Sequence, residues 1–380
     1  MSPRLVGTVT IPTPASETPL PPVATPCASQ NGRSTPTSLP LLNPDDARRV
    51  IVLTNGEALF ISRRSSGALY GGTYDPATDQ VATIGLSSYQ SEFDWIFPLP
   101  QGRAIGGIVH GDVVIYAEYD PSVRRFGQVV TLTLPGYRAT SGAQAALLPT
   151  GEILLVGSEH AWRVQTEQQT IALTGPKRTS AAAILLSLSD GRVMALVGQQ
   201  FIADYGTLTT EAEIYDPQAD DWRAIPPIPG GTSEIIPGSR ERPPQGFSVT
   251  ALSDGRVLLA GGQRGASEVR SWVGVYEPAS NAWSPRAPLP VPLAWHRATA
   301  LNDGQILVTG GQTVGGSAGE SSTYLYNPGE DRWRAAGQLL IGRRKHGAAL
   351  LPDGRVLLLQ GMRSDTSLPL SEIYAPPCWP

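Results

Sequence analysis

Residues 251–283 read ALSDGRVLLAGGQRGASEVRSWVGVYEPASNAW. Two apolar runs flank Asp254-Gly255, and the second, Val257 to Ala260, closes on Gly261-Gly262. A third run, VGVYEP, leads on to Trp283. Asp-Gly between apolar runs signals a hairpin, because a two-residue type I′ turn needs positive φ at both central positions. The stretch therefore predicts short antiparallel strands joined by tight turns.

The pattern recurs along the chain. A glycine-containing turn followed by an apolar strand appears at Asn55-Gly56, His110-Gly111, Thr150-Gly151, Asp190-Gly191, Asp254-Gly255, Asp303-Gly304 and Asp353-Gly354. Successive glycines are 55, 40, 40, 64, 49 and 50 residues apart. Repeats of this length that hold two or more short strands are blades of a β-propeller, not turns of a helical solenoid. No long window shows helical periodicity, so almost no helix is expected. The count gives an all-β fold of seven blades, with six as the alternative.

The second half of each unit is a Tyr-acid-Pro turn that reaches an aromatic residue. Tyr215-Asp216-Pro217 leads to Trp222, Tyr276-Glu277-Pro278 to Trp283, and Tyr326-Asn327-Pro328 to Trp333, always seven residues from Tyr to Trp. Proline fixes φ and ends the strand, and the polar residue before it favours the turn. The Trp then falls on an outer strand, where it can cover the joint between blades. Tyr74-Asp75-Pro76 puts Val81 at that position, and Tyr119-Asp120-Pro121 puts Phe126 there. The latter turn follows its strand so closely that a merging of second and third strands is expected. The unit at 140–174 lacks the turn, and HAWRVQT and QTIALT are its expected outer strands.

The chain has 380 residues, 41% of them hydrophobic, and a net charge of −4, with no basic run. A nucleic-acid partner is not expected from such a balance. No apolar run reaches the ~20 residues of a membrane span. Pro12 and Pro14 interrupt the opening apolar patch, so no good signal peptide is visible. Residues 1–45 are rich in Pro, Thr and Ser and read as an extended linker, while 46–380 form the repeat domain. Cys27 and Cys378 match no metal-ligand spacing. Two readings stay open: unpaired thiols, or a disulfide joining the two ends of the chain in an oxidising compartment.

The DG-R-V-L-hydrophobic-GG strand and the Y-D-P…W turn make the chain resemble the kelch-repeat family in its bacterial style. The resemblance covers about 47–380 and is strongest over 177–360, although the diglycine survives fully only at Gly261-Gly262 and Gly310-Gly311. It implies a propeller, and the last unit, HGAALL, RVLLLQG and SEIYA before PPCWP, reads as a blade whose fourth strand is missing or very short. An open sheet edge is a liability, so an N-terminal strand is expected to fill the vacancy, residues 4–11 first and residues 38–43 second.

In a four-stranded antiparallel blade the first and third connections share one face. These are the tight turns. The second connection and the crossing to the next blade share the other face, and here they are long: 88–102, 198–210, 226–246, 261–271, 310–322 and 361–370. Variable loops on a rigid scaffold are where recognition usually sits. They place Trp95, Arg240, Arg242, Trp295, His296, Arg297, Arg343 and His346 as candidate ligand-binding residues, with Arg344 and Lys345 beside them. His296 and His346 each stand eight residues before a turn glycine, so they are equivalent positions near the channel mouth.

Galactose oxidase, a copper enzyme with a kelch-type propeller, makes a metal site at that mouth one implication of the resemblance. Trp295 and Lys345 precede the two histidines here, and no cysteine lies mid-chain, so that constellation fails at most positions. Hydrogen bonding between blades is the other role for such histidines. Glu92, Asp94, Asp204, Glu234 and Glu268 could supply carboxylates, as in kelch sugar epimerases, but no pair stands out. No G-x-S-x-G elbow, phosphate loop or H-E-x-x-H motif is present. The expectation is a monomeric, extracellular or cell-surface, non-enzymatic propeller without a cofactor, recognising a protein or glycan through its long-loop face. The competing class is a carbohydrate-active enzyme at the channel mouth, which would need two titratable groups converging on one substrate atom.

Overall fold

The protein is described by a computed structural model. It covers residues 32–37, 50–63, 69–86, 93–136, 143–157, 159–175, 184–196, 212–226, 244–264, 268–316, 318–364, 366–368 and 370–377. The strands form seven antiparallel blades. Blade 1 is Ile51–Val52, Ala58–Arg63, Leu69–Asp75 and Gln80–Thr83. Blade 2 is Trp95–Pro98, Ala104–His110, Val113–Asp120 and Val130–Thr133, and blade 3 is Gln144–Leu147, Ile153–Val156, Ala161–Gln165 and Thr170–Leu173. Blade 4 is Ile184–Ser187, Val193–Leu196, Ala212–Asp216 and Asp221–Ile225; blade 5 is Pro244–Ala251, Val257–Arg264, Val273–Glu277 and Ala282–Pro285. Blade 6 is Arg297–Ala300, Ile306–Thr309, Glu320–Asn327 and Arg332–Arg343. Blade 7 is Gly347–Leu350, Val356–Leu359 and Glu372–Ala375, completed by Arg33–Pro36. The first strand of every blade packs against the first strands of both neighbours, so the blades close into a circle. Among the described residues the helix content is one 3₁₀ turn, Pro100–Gly102.

The apolar runs of the sequence become second strands sandwiched between neighbouring blades. Ile153–Val156, Val193–Leu196, Ile306–Thr309 and Val356–Leu359 are buried throughout, which is why they do not alternate. The core is divided accordingly. Seven apolar clusters each lie in one joint between adjacent blades, including a last one where Leu357, Leu359 and Ile373 of blade 7 meet Ala58, Phe60 and Tyr74 of blade 1. The fourth-strand tryptophans seal these joints. The Nε1–H of Trp222 donates to Thr174 Oγ1 at 3.0 Å, that of Trp283 to Pro226 O at 3.0 Å, and that of Trp333 to Ala287 O at 2.8 Å, each acceptor belonging to or just following the preceding blade.

Three expectations need correction. The Asp-Gly turns are not type I′. Only their glycine has positive φ, 82° at Gly354 and 86° at Gly255. The amide of Gly255 donates to Leu252 O at 3.1 Å, and that of Leu252 to Arg256 O at 2.8 Å. This is a type I turn followed by a left-handed glycine, the usual three-residue hairpin loop. Asp254 accepts the Arg256 amide at 3.1 Å, which explains the Asp.

Blade 2 is out of phase with the reading of its sequence. Its first turn is Pro100–Gly102, not His110-Gly111, and Trp95–Pro98 is a strand, not part of a loop. His110-Gly111 is the second connection, shortened to a hairpin on the opposite face, so the second and third strands are distinct.

The ring-closing strand is Arg33–Pro36. It lies between the two stretches expected, residues 4–11 and 38–43, both outside the described residues. Ser34 Oγ donates to Glu372, whose carboxylate also receives the Leu340 amide at 2.8 Å and the guanidinium of Arg343.

Candidate functional site

On the loop face of blades 5, 6 and 7 the chain reaches or bulges at the first strand through a left-handed residue. These are Gly246 at φ 67°, Trp295 at 60° and Lys345 at 55°. They are equivalent positions in successive repeats. Trp295 N–H donates to Gly246 O at 2.6 Å, and Lys345 N–H to Trp295 O at 2.9 Å, so the backbone climbs from blade to blade like a stair. The indole of Trp295 lies on Gly246, where a Cβ would come within 2.7 Å of Cδ2. The Lys345 ammonium stands 4.6 Å from the centre of the indole ring, within cation–π range. Both side chains are half-buried.

The residue after each step is a histidine directed inward. His296 is 3% exposed and His346 fully buried. His296 Nε2 lies 2.9 Å from Ser248 Oγ of blade 5, and His346 Nε2 lies 2.9 Å from Thr309 Oγ1 of blade 6. Burial, reinforced by the Arg297 charge, pulls the His296 pKa down to about 4. Burial first, then Arg343, Arg297 and His296, holds His346 well below the ordinary imidazole range. Both rings are therefore neutral at pH 7 and tie one blade to the next.

The diglycines belong to the same device. A Cβ at Gly261 would meet Leu293 O at 2.3 Å and His296 Cε1 at 2.7 Å; one at Gly310 would meet Arg343 O at 2.3 Å and His346 Cε1 at 2.8 Å. Full diglycines therefore survive in the two blades whose successor supplies a histidine step. Sequence reading noted the glycines and the histidines but not their connection. The signal was there, since 35 and 36 residues separate Gly261 from His296 and Gly310 from His346.

The other candidates scatter. Trp95 is on the first strand of blade 2, buried in the joint with blade 3 and stacked on Phe97 at 5.6 Å. Arg343 is also buried. Its guanidinium is ion-paired with Glu372 and donates to Gln360 O at 2.7 Å and Leu370 O at 3.0 Å, so it stitches blade 6 to blade 7. Burial lowers the Arg343 pKa and Glu372 opposes that shift. Arg297 donates to His346 O at 2.6 Å. Glu268 pairs with Arg270 at 2.9 Å. Arg240, Arg242, Glu92, Asp204, Glu234, Cys27 and Cys378 lie outside the described residues. The site that remains is Trp295, Lys345 and Arg297 around two buried histidines. Among the described residues no three His, Cys, Asp or Glu side chains gather as metal donors.

The tight-turn face is less plain than its sequence suggests. A cleft of about 930 Å³ opens there between blades 2 and 3, and one of about 470 Å³ between blades 4 and 5. The first is walled by Leu99, Pro149 and the Glu152–Arg163 pair. Burial raises the Glu152 pKa, but hydrogen bonds from Arg163, Thr150 and Gln165 outweigh it and keep the carboxylate ionised.

Comparison with known proteins finds no matching family model. Kelch-like protein 21 of Danio rerio is 33% identical over 93 residues, which are 24% of this chain and 13% of that protein. Kelch-like protein 21 of Rattus norvegicus is 29% identical over 93 residues, again 13% of its length. Among solved structures, a fungal alcohol oxidase of the AA5 family in complex with copper aligns with a TM-score of 0.48 at 12% identity, over 91% of this chain and 76% of that one. YjhT aligns with a TM-score of 0.45 at 14% identity, over 70% of this chain and 92% of its own. No helix among the described residues is long and apolar enough to cross a membrane.

Proposed function

The chain is a kelch-repeat β-propeller of seven blades, and on that premise we propose that it is a recognition module whose loop face binds a protein or a glycan, with Trp295 and Lys345 at the centre of the contact. The observation that carries this reading is conformational. Trp295 and Lys345 hold positive φ at the position where blade 5 has Gly246, and neither lies in a hairpin turn. A bulky residue in that region is an outlier, and such strain concentrates at binding and catalytic positions. A fixed indole with a cation beside it is a low-entropy anchor of the kind found at interface hot spots. The buried imidazoles and the stair of backbone bonds hold it in place.

The test compares the intact protein with the Trp295→Gly/Lys345→Ala double variant and with a turn-face control, Arg103→Ala. Glycine suits the backbone at 295, as it does at 246, so the double variant should fold. Each is screened on a glycan array and by cross-linking capture of extracellular proteins. A ligand held by the wild type and the control, and at least tenfold more weakly by the double variant, supports the proposal. Equal retention by all three overturns it. We extend the proposal to a location outside the cell or at its surface; recovery of the native protein only from cytosol would contradict that part.

A further inference from the structure

The closing strand and the loop-face step are joined by a continuous series of polar contacts. Arg33–Pro36 is the outermost strand of blade 7 and Gly347–Leu350 the innermost, three strand spacings or about 14 Å apart. Ser34 Oγ on the outer strand donates to Glu372, one strand further in. That carboxylate also holds the Arg343 guanidinium, and both side chains of the ion pair are fully buried. Through its bonds to Gln360 O and Leu370 O, Arg343 clamps the two ends of the loop-face connection of blade 7. Thr37 N–H donates to Ser371 O at 3.2 Å, so the closing strand grips the same connection at its far end. Within the connection, Met362 exchanges both backbone bonds with Arg344, at 3.0 and 2.8 Å. The next residue is Lys345, whose amide and ammonium both meet Trp295. The preceding repeat shows that a step needs no such charge. Gly262 N–H donates to Leu293 O and Gly311 N–H to Arg343 O, each at 2.8 Å, so Arg343 stands where the earlier crossing has a buried leucine. A buried ion pair in place of an apolar residue is weak evidence for stability; its best-attested use is to fix one arrangement among several.

We propose that Ser34, Glu372 and Arg343 form a positioning relay that sets Lys345 against Trp295, so that the closing strand belongs to the machinery of the loop face. The inference rests on the reading of that face as the contact surface. The three residues act through Lys345. Ser34 helps fix the carboxylate, the carboxylate fixes the guanidinium, and the guanidinium fixes both the connection and the crossing that ends in the step. Bonds chained in this way inside a low-dielectric joint reinforce one another. Coupling of this kind is reciprocal: a change at Ser34 is felt at the indole, and a change at Lys345 is felt in the closing strand.

The full chain is labelled with fluorotryptophan and followed by fluorine NMR, in which its eight tryptophans give separate reporters. The Trp295 resonance is the one lost in Trp295→Gly. Ser34→Ala removes the hydroxyl and keeps the backbone pairing, whereas Ser34→Thr keeps a hydroxyl. Ser34→Ala should shift the Trp295 resonance and leave that of Trp222, in the far joint between blades 3 and 4, where it was. Ser34→Thr should return Trp295 to its wild-type position. A Trp295 resonance unmoved by Ser34→Ala in a folded chain, or moved equally by Ser34→Thr, would overturn the relay. The reverse direction is read by hydrogen exchange in Lys345→Ala, which leaves Ser34, Glu372 and Arg343 in place. There the Thr35 amide should exchange about fivefold faster or more, with the amides of Asp221–Ile225 unchanged. An unchanged Thr35 amide overturns the relay even if Ser34→Ala does not fold. Neither readout needs a ligand. Loss of the contact reading in the ligand screen therefore leaves the relay open to measurement, and an inert Trp295 resonance sinks the relay alone.

Discussion

A Cβ on Gly261 would sit 2.3 Å from the carbonyl oxygen of Leu293, and the backbone there has φ 67°. Gly261→Ala therefore incurs both left-handed strain and overlap with a fixed backbone atom. We expect a loss of about 2–4 kcal/mol in urea unfolding. His296 adds a pH dependence. Its folded pKa of about 4 lies below the ordinary 6.5. Between those values the unfolded chain binds the proton and the folded one does not, so stability falls as pH drops from about 6.5 towards 4. Urea unfolding at pH 7 and pH 5 should differ by about 2 kcal/mol more in the wild type than in His296→Gln, which cannot titrate. An equal difference would mean that the imidazole is solvated. At this scale the sequence was legible for residue type and not for conformation. Asp254-Gly255 announced a turn, yet the turn type depends on a bond from Leu252 to Arg256 that composition alone does not reveal.

The recurring element is the Tyr-to-Trp hairpin. Tyr215, Tyr276 and Tyr326 pair across the strand with Trp222, Trp283 and Trp333, their ring centres 4.9, 5.4 and 4.7 Å apart. Tyr215 and Tyr326 also donate to Asp220 and Asp331, and Tyr276 to Asn281; these acceptors hold the left-handed position of the turn. The seven-residue spacing could be read because both rings face one joint. Trp333→Phe should keep the packing, lose the bond to Ala287 O, and cost about 1–2 kcal/mol by urea unfolding. No loss would mean that water replaces the indole. Blade 2 shows where such reading stops. Gln101-Gly102 lacks the Asp, and the short His110-Gly111 connection imitates the missing turn from the opposite face. Local patterns do not say which end of a blade a hairpin belongs to.

At the scale of the molecule, seven separate joint cores add up to one fold only if the circle is closed. The number of blades was legible because six of them carry the glycine turn that was counted and blade 2 offers an imitation of it at His110-Gly111. The closing strand was not. RSTP has no apolar alternation, because three of its four residues face solvent on the outer edge. What holds it is backbone pairing to Glu372–Ala375 and the bond from Ser34 to Glu372, a partner 338 residues away. Under reducing conditions, deletion of residues 2–31 should leave the Tm within about 3 °C, whereas deletion of 2–37 exposes the Glu372–Ala375 edge and should lower it by about 10 °C or more. The most direct test is hydrogen exchange on the intact chain. Closure predicts that the amides of Arg33 and Thr35 are protected together with those of Ile373 and Ala375, which face them across the pair, and that the latter two lose protection when 2–37 is removed. Exchange of Arg33 and Thr35 at the free-chain rate, with Ile373 and Ala375 unaffected by the deletion, would contradict it.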